Sequence, residues 1–304
     1  MSTFTGWGDL FKFATDHISE DFHYDKNFLV KAKTKNSAGN GAYSFKVEQS
    51  KPDENGQVNN SLEVKHTIKH QNVDYEGKYK SGGKVSCEIG YDLSSLNDQL
   101  NGWTYVVNAD LVSGKNLDKS DFSSTLKYEQ ANMQGQIKCD HGTVGEVETE
   151  WSFKPQADSD YVVGGDATFN FKKTQLASLA VGVVGRLNPT FSWGFKNWSE
   201  DGKKFGNFKF FTHQAVNPDT DVATEIGYSI DTKELSASAG FTHRCCADST
   251  WRGKLTSDGL FALSWKRALS LGTPLTISTV FDLGDKALLH NNPHPFGIAL
   301  EGTF

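Results

Sequence analysis

Val73-Asp74-Tyr75-Glu76-Gly77-Lys78-Tyr79-Lys80 places apolar residues or glycine at every odd position and a charged residue at every even one. Successive side chains of a β-strand point to opposite faces, so this period of two predicts a strand with one apolar and one charged face. The same alternation recurs from Lys84 to Tyr91, from Glu146 to Lys154 and from Phe296 to Phe304.

Runs of this kind, separated by Gly, Asn, Asp or Pro turn signals, extend along almost the whole chain. Nineteen begin near residues 27, 41, 61, 71, 83, 103, 121, 131, 145, 160, 176, 190, 205, 221, 234, 248, 259, 273 and 294. The spacing of roughly 15 residues suits a membrane-spanning strand of about 9–11 residues plus a short turn. The pattern predicts an all-β membrane barrel with nineteen transmembrane strands over residues 27–304.

A large soluble barrel or sandwich is the alternative, because one buried face produces the same alternation. Against it, the apolar faces hold many Gly, Ala, Thr and Tyr residues, whereas a soluble core needs bulkier packing. The mean hydropathy of −0.50 suggests a soluble protein. A membrane barrel can have the same mean hydropathy, because its apolar lipid-facing residues alternate with polar residues that face the lumen.

Residues 1–26 differ from the rest of the chain and are predicted to form an N-terminal helix and linker. Apolar side chains recur there at helical spacing, at Trp7, Leu10, Phe11, Ala14 and Ile18. The short amphipathic helix either covers an apolar patch, or lies in or at the mouth of a pore and supplies charge where ions pass.

Several function classes find no support in the sequence. The net charge of −6 argues against a nucleic-acid partner. The four cysteines lack zinc-site spacing, and His66 and His70 would lie about 13 Å apart on a strand, too far to share an ion. No nucleotide-binding or catalytic motif is present. We therefore expect no enzyme activity, no metal and no cofactor. The longest apolar run, Leu176 to Gly185, is too short for a spanning helix.

The chain resembles the mitochondrial porins of eukaryotes, the voltage-dependent anion channels. The resemblance runs end to end and is carried by Asp9-Leu10, Lys12, Ala14, Asp16, Lys33-Thr34-Lys35, Gly39-Asn40-Gly41, His243, Ala247, Ser249, Gly253-Lys254-Leu255-Thr256-Ser257 and Ala262-Leu263. The sequence departs from the family pattern at Thr15, Cys246, Trp265, Pro295 and Gly302.

The resemblance implies a voltage-gated diffusion channel of the mitochondrial outer membrane that passes small anionic metabolites and nucleotides, including ATP, ADP and phosphate. Its candidate pore-lining or gating residues are Asp9, Lys12, Asp16, Lys31, Lys33, Lys35, Arg252 and Lys254. For any single lysine, the alternative is a solvated pore residue without a special role.

Charges on the polar face occur in nearly equal basic and acidic numbers when Lys172 and Asp248 are assigned to that face. The near balance predicts weaker anion selectivity than a strongly basic wall would give. Besides the lipid bilayer, partners remain open, including lateral association into a homo-oligomer or a membrane complex. A structural or scaffolding subunit, or a protein-import pore of the same fold, are the alternative functions.

Overall fold

The computed structural model describes residues 6–35, 39–52, 57–112, 121–141, 145–156, 159–202, 204–269, 273–283 and 295–303. The described strands form one nineteen-stranded sheet in which the first and last strands also pair, so the sheet closes into a barrel. The predicted fold class is confirmed.

The strands begin within two residues of the predicted positions, because the Gly, Asn and Asp turns that bound them are visible in the sequence. Their bounds are β1 Lys26–Lys35, β2 Gly41–Ser50, β3 Asn60–His70, β4 Val73–Lys80, β5 Lys84–Asp92, β6 Trp103–Val112, β7 Asp121–Gln130, β8 Met133–Asp140, β9 Glu146–Phe153, β10 Tyr161–Asn170, β11 Gln175–Asn188, β12 Phe191–Ser199, β13 Asn207–Asn217, β14 Thr220–Ser229, β15 Leu235–Cys246, β16 Ser249–Thr256, β17 Leu260–Ala268, β18 Pro274–Asp282 and β19 Phe296–Thr303.

The barrel closes through one parallel pair of strands. All strands adjacent in sequence are antiparallel, so with an odd number of strands β1 and β19 run in the same direction. Their register pairs Phe28 with Ile298 and Leu29 with Ala299. This pairing leaves the barrel without an open edge, which would be costly in a lipid environment.

The two faces of the wall have opposite character. In β6, Val107 points outward and is 40% exposed, whereas its neighbour Val106 points inward and is buried. The outward face is dominated by exposed apolar and aromatic side chains such as Phe45, Ile137 and Trp251. The inward face holds most of the charged residues, so the barrel has a lipid-type exterior and a polar lumen.

The strand pairing corrects the predicted inward face at several positions. Lys172 and Asp248 lie in turns rather than on the wall. The inward face gains Arg186, Arg244 and Asp121, as their pairing with inward residues of adjacent strands shows. These residues lie at or beyond the ends of strands, where an alternating pattern is difficult to distinguish from the start of a turn.

The N-terminal segment contains a 3-10 turn, Trp7–Asp9, followed by one α-helix, α1, Lys12–Ser19. Short 3-10 turns also occur at Leu93–Ser95 and Asp98–Leu100, between β5 and β6. None of the helices in the described ranges is long and apolar enough to cross a membrane.

Lysine substitutions at adjacent positions of β6 test the assignment of the two faces. We expect Val107→Lys to lower the free energy of unfolding in lipid vesicles by about 2–4 kcal/mol, since it places a charge against the acyl chains. Asn108→Lys is the matched control, because Asn108 faces the lumen and Asp110 lies on the same face. Equal destabilisation of both variants in urea titrations would contradict the assignment.

Candidate functional site: the helix and the pore wall

Helix α1 packs inside the barrel against β13, β14, β15 and β16. Its buried residues Ala14 and Ile18 form an apolar cluster with Phe211 of β13 and Ala223 of β14. Phe11 packs on this cluster, with its ring centroid 4.8 Å from that of Phe211. The helix therefore covers an apolar patch and lies in the lumen, which unites the two interpretations of the sequence.

A second apolar cluster holds the 3-10 turn to the wall. Trp7 and Leu10 pack on Ala180 of β11, next to Val184 and Trp198. In this part of β11 the inward residues are small or apolar, so the strand is apolar on both faces. This explains the apolar run from Leu176 to Gly185, which contacts lipid on one side and the N-terminal segment on the other.

Glycines on the wall allow the backbone of the N-terminal segment to approach closely. A Cβ atom at Gly240 of β15 would lie 2.5 Å from the carbonyl oxygen of His17. At Gly297 of β19, a Cβ would overlap the carbonyl oxygen of His23, which is impossible without movement of the chain. Both positions therefore depend on the absence of a side chain.

Asp21 is the polar anchor at the C-terminal end of α1. Its side chain is 9% exposed and accepts hydrogen bonds from Nζ of Lys266 at 3.0 and 3.2 Å. Its carbonyl oxygen accepts a hydrogen bond from the hydroxyl of Ser264 at 2.8 Å. The backbone at Asp21 has φ 64°, a left-handed conformation that Asp tolerates better than most residues. The chain reverses here and leads to β1.

Arg252 of β16 joins the helix and this anchor. Its Nη1 donates to the carbonyl oxygen of Asp16 at 3.2 Å and to Oε2 of Glu20 at 2.9 Å. The same atom lies 3.5 Å from Oδ2 of Asp21. The Arg252 side chain is 17% exposed, so loss of its guanidinium would remove a half-buried charged donor from the end of the helix.

The predicted helix residues have distinct environments. Nζ of Lys12 lies 2.5 Å from Oδ1 of Asp9, and both side chains are more than half exposed to the lumen. The hydrogen bond to Asp9 raises the pKa of Lys12, which is therefore charged at physiological pH. Burial, followed by the charge of Glu20, raises the pKa of Asp16. Only Asp16 of these three contacts Arg252, through its backbone carbonyl.

The predicted wall residues lie in two groups. Lys31, Lys33 and Lys35 project from β1 into the lumen and are exposed, with Lys31 paired to Glu301 of β19. Lys254 lies two residues from Arg252 on the same face of β16, but only Arg252 has a described contact with the helix. The structure thus brings Asp16 and Arg252 together and keeps the β1 lysines on a separate part of the wall.

Charges on the inward wall are segregated by strand. Strands β5 to β10 carry mainly acidic residues, namely Glu88, Asp110, Asp121, Glu129, Asp140, Glu146, Glu148, Glu150 and Asp166. Strands β1 to β4 and β15 to β17 carry mainly basic ones, namely Lys31, Lys33, Lys35, Lys46, Lys65, Lys69, Lys78, Lys80, Arg244, Arg252, Lys254 and Lys266. These two basic strips flank β18 and β19, so they form one basic arc opposite the acidic one.

The contacts that hold the helix are not apparent in the sequence. Asp21, Gly240 and Lys266 are not among the candidate residues that the sequence pattern or the family resemblance points to. A glycine at an inward position of a strand, as at Gly240, is the available signal, because it indicates close approach of another backbone. Nothing in the sequence indicates which element makes that approach.

Comparison with known proteins gives a family match, two similar sequences and a weak structural likeness. A family model described as eukaryotic porin matches residues 6–297. A Caenorhabditis elegans protein named "Probable voltage-dependent anion-selective channel" is 22% identical over 295 residues, 97% of this chain and 96% of that protein. The "Voltage-dependent anion-selective channel" of Drosophila melanogaster is 20% identical over 299 residues, 97% of each chain. A triple mutant of the Rhodopseudomonas blastica porin matches in structure with a TM-score of 0.48 at 10% identity, over 72% of this chain and 93% of the porin.

The role of Arg252 can be tested by hydrogen exchange. We expect Arg252→Gln to reduce the protection of the α1 amides by roughly 10- to 100-fold, because charged hydrogen bonds to the helix end are lost. Lys254→Gln removes the same charge from the same strand face and should leave α1 protected. Unchanged protection in Arg252→Gln would show that the apolar clusters alone hold the helix.

Close approach at Gly240 leads to a second test. We expect Gly240→Ala to displace α1 and to expose the Lys12 peptide bond to trypsin, while far-ultraviolet dichroism still reports an intact barrel. Gly90→Ala is the control, because its Cβ would make ordinary contacts of 3.7 Å with Asp74 and Val106, away from the helix. Equal resistance of both variants to trypsin would contradict the proposed packing.

Proposed function

Because the chain belongs to the eukaryotic porin family, we propose that it is a voltage-gated, weakly anion-selective diffusion channel of the mitochondrial outer membrane. Its permeants are small anionic metabolites and nucleotides such as ATP, ADP and phosphate. We assign it no catalytic activity. The observation that carries the proposal is a closed barrel whose inner wall is lined with charged side chains around a helix that leaves part of the lumen open.

The wall supports diffusion of hydrated solutes. A barrel of this strand number is wide enough for an aqueous channel. A cleft with a volume of about 340 Å³ lies between α1 and β10 to β14, and Lys12, Lys196 and Lys209 line it together with Asp166 and Glu225. Lys12 and Lys209 are already paired with Asp9 and Glu225, so the mixed charges along this path admit ions of both signs.

Weak anion selectivity follows from the segregated wall charges. On β1 to β4 the acidic residues are already engaged, as Glu48 is with Lys46, Glu63 with Lys80 and Glu76 with Lys65. Lys33, Lys35 and Lys78 form no ion pair with any described residue. An anion near this arc therefore meets uncompensated positive charge within a Debye length of about 8 Å. The acidic arc opposite reduces the net preference.

Voltage gating is supported by the way in which α1 is held. Few polar groups fasten the helix, and Arg252 and Asp21 account for much of that attachment. Lys12 and the β1 lysines are charges in the lumen, where displacement across the field supplies free energy. We propose that the docked helix belongs to the conducting state and that its detachment from the wall changes the conductance.

Channel recordings test the function directly. Purified protein in a planar bilayer should give voltage-dependent conductance, with a reversal potential in a salt gradient that indicates a weak anion preference. An absence of conductance would instead support a structural or scaffolding subunit. Block of the current by mitochondrial precursor peptides, without passage of ATP, would support a protein-import pore. Fractionation of cells tests the mitochondrial location.

The contribution of the basic arc is tested by charge reversal. We expect Lys33→Glu combined with Lys35→Glu to shift the reversal potential to the cation-selective side, because the anion-attracting end of β1 becomes negative. Lys173→Glu changes charge in the turn between β10 and β11 and should shift the reversal potential much less. If the two proteins show equal shifts, the pore lysines of β1 do not determine selectivity.

A further inference from the structure

Three side chains with metal-ligating atoms meet where α1 touches the wall. His17 comes from the helix, His213 from β13 and Asp221 from β14, and one ligand atom from each lies within 4.8 Å of the other two. The two imidazole rings are stacked with centroids 4.8 Å apart. The side chains of His213 and Asp221 are only 18% and 11% exposed. No other group of three such residues occurs in the ranges that the structure describes.

His213 and Asp221, the two residues of this group that lie on the wall, face each other across a short gap. Nε2 of His213 is buried and makes no hydrogen bond with the described residues, while Oδ1 of Asp221 lies 3.3 Å away. Either a proton carried on Nε2 or a metal ion between these two atoms would satisfy both of them. Ligand atoms of a tetrahedral Zn²⁺ site at 2.0–2.1 Å from the ion are about 3.3 Å from each other. The gap between His213 and Asp221 therefore matches this spacing, whereas the ring of His17 has to tilt out of the stack for its nitrogen to face the same ion.

Surrounding groups orient the ligands. Nδ1 of His17 is 2.9 Å from the hydroxyl of Thr242, which fixes the orientation of the ring. Arg244 contacts Oδ2 of Asp221 at 3.1 Å and leaves Oδ1 free to face His213. The guanidinium groups of Arg244 and Arg252 are the nearby positive charges that an ion must tolerate.

We propose that His17, His213 and Asp221 bind a divalent cation of borderline softness such as Zn²⁺, and that the ion fastens α1 to the pore wall. Two imidazoles and one carboxylate match the preference of such ions, and water from the lumen completes a four-coordinate site. The ion would link α1 to two strands of the wall, β13 and β14. A metal bound only by the docked arrangement shifts the equilibrium towards docking.

Metal binding is measured on the full-length barrel refolded in detergent, so the result does not depend on channel activity. Addition of Zn²⁺ should raise the temperature at which α1 becomes susceptible to trypsin, and Co²⁺ should give the visible absorption of a four-coordinate site. Strong thiolate-to-cobalt bands should be absent, which excludes coordination by Cys245 and Cys246.

Substitutions then identify the ligands. His213→Ala and His17→Gln should each weaken Zn²⁺ binding by more than about tenfold, whereas His70→Ala, at an exposed position at the end of β3, should bind Zn²⁺ normally. His17→Gln retains a polar side chain opposite Thr242, so the helix still has a partner there. Unchanged Zn²⁺ affinity in both cluster variants, or cobalt bands typical of thiolate, would overturn the proposal.

The electrical consequence rests on the proposed function and is measured separately. If the protein conducts, Zn²⁺ should shift the midpoint voltage for closure to larger potentials in the unmodified channel and not in His213→Ala. A protein that binds Zn²⁺ at this cluster but does not conduct would contradict the channel function and leave the metal site intact. A protein that conducts but does not bind Zn²⁺ would support the channel function and contradict the metal site.

Discussion

The parallel pairing of β1 with β19 is the interaction on which the rest of the structure depends. Lipid offers no hydrogen bonds to an exposed strand edge, so a membrane-spanning sheet is stable only when its first and last strands meet. The register that begins with Phe28 opposite Ile298 pairs both edges of the sheet. Closure also creates the lumen, and with it the space in which charges and a helix can be placed.

Inside that lumen, the N-terminal segment is held by a combination of apolar and polar contacts. Trp7, Ala14 and Ile18 bury apolar surface against the wall, while Asp21 and Arg252 fix the far end of α1. The apolar clusters supply most of the burial but little directionality. The polar contacts determine the position of the helix along the wall.

The alternation of side chains was sufficient to predict the number of strands and, with few exceptions, the face on which each residue lies. It failed as a rule for one region, Leu176 to Gly185, where both faces of β11 are apolar. The reason is that the inner face there meets the N-terminal segment rather than water. The loss of alternation in this region thus reflects a tertiary contact, but the sequence does not identify the segment that makes it.

The amino-acid sequence by itself determined the barrel, because the period of two, the turn residues and the strand length are local properties that the membrane selects. It also determined that the helix is amphipathic. Only the tertiary structure decided that His17 meets His213 and Asp221, that Asp16 meets Arg252, and that the basic strips unite across β18 and β19. These residues are separated by up to hundreds of positions in the chain, and closure of the sheet is what brings them together.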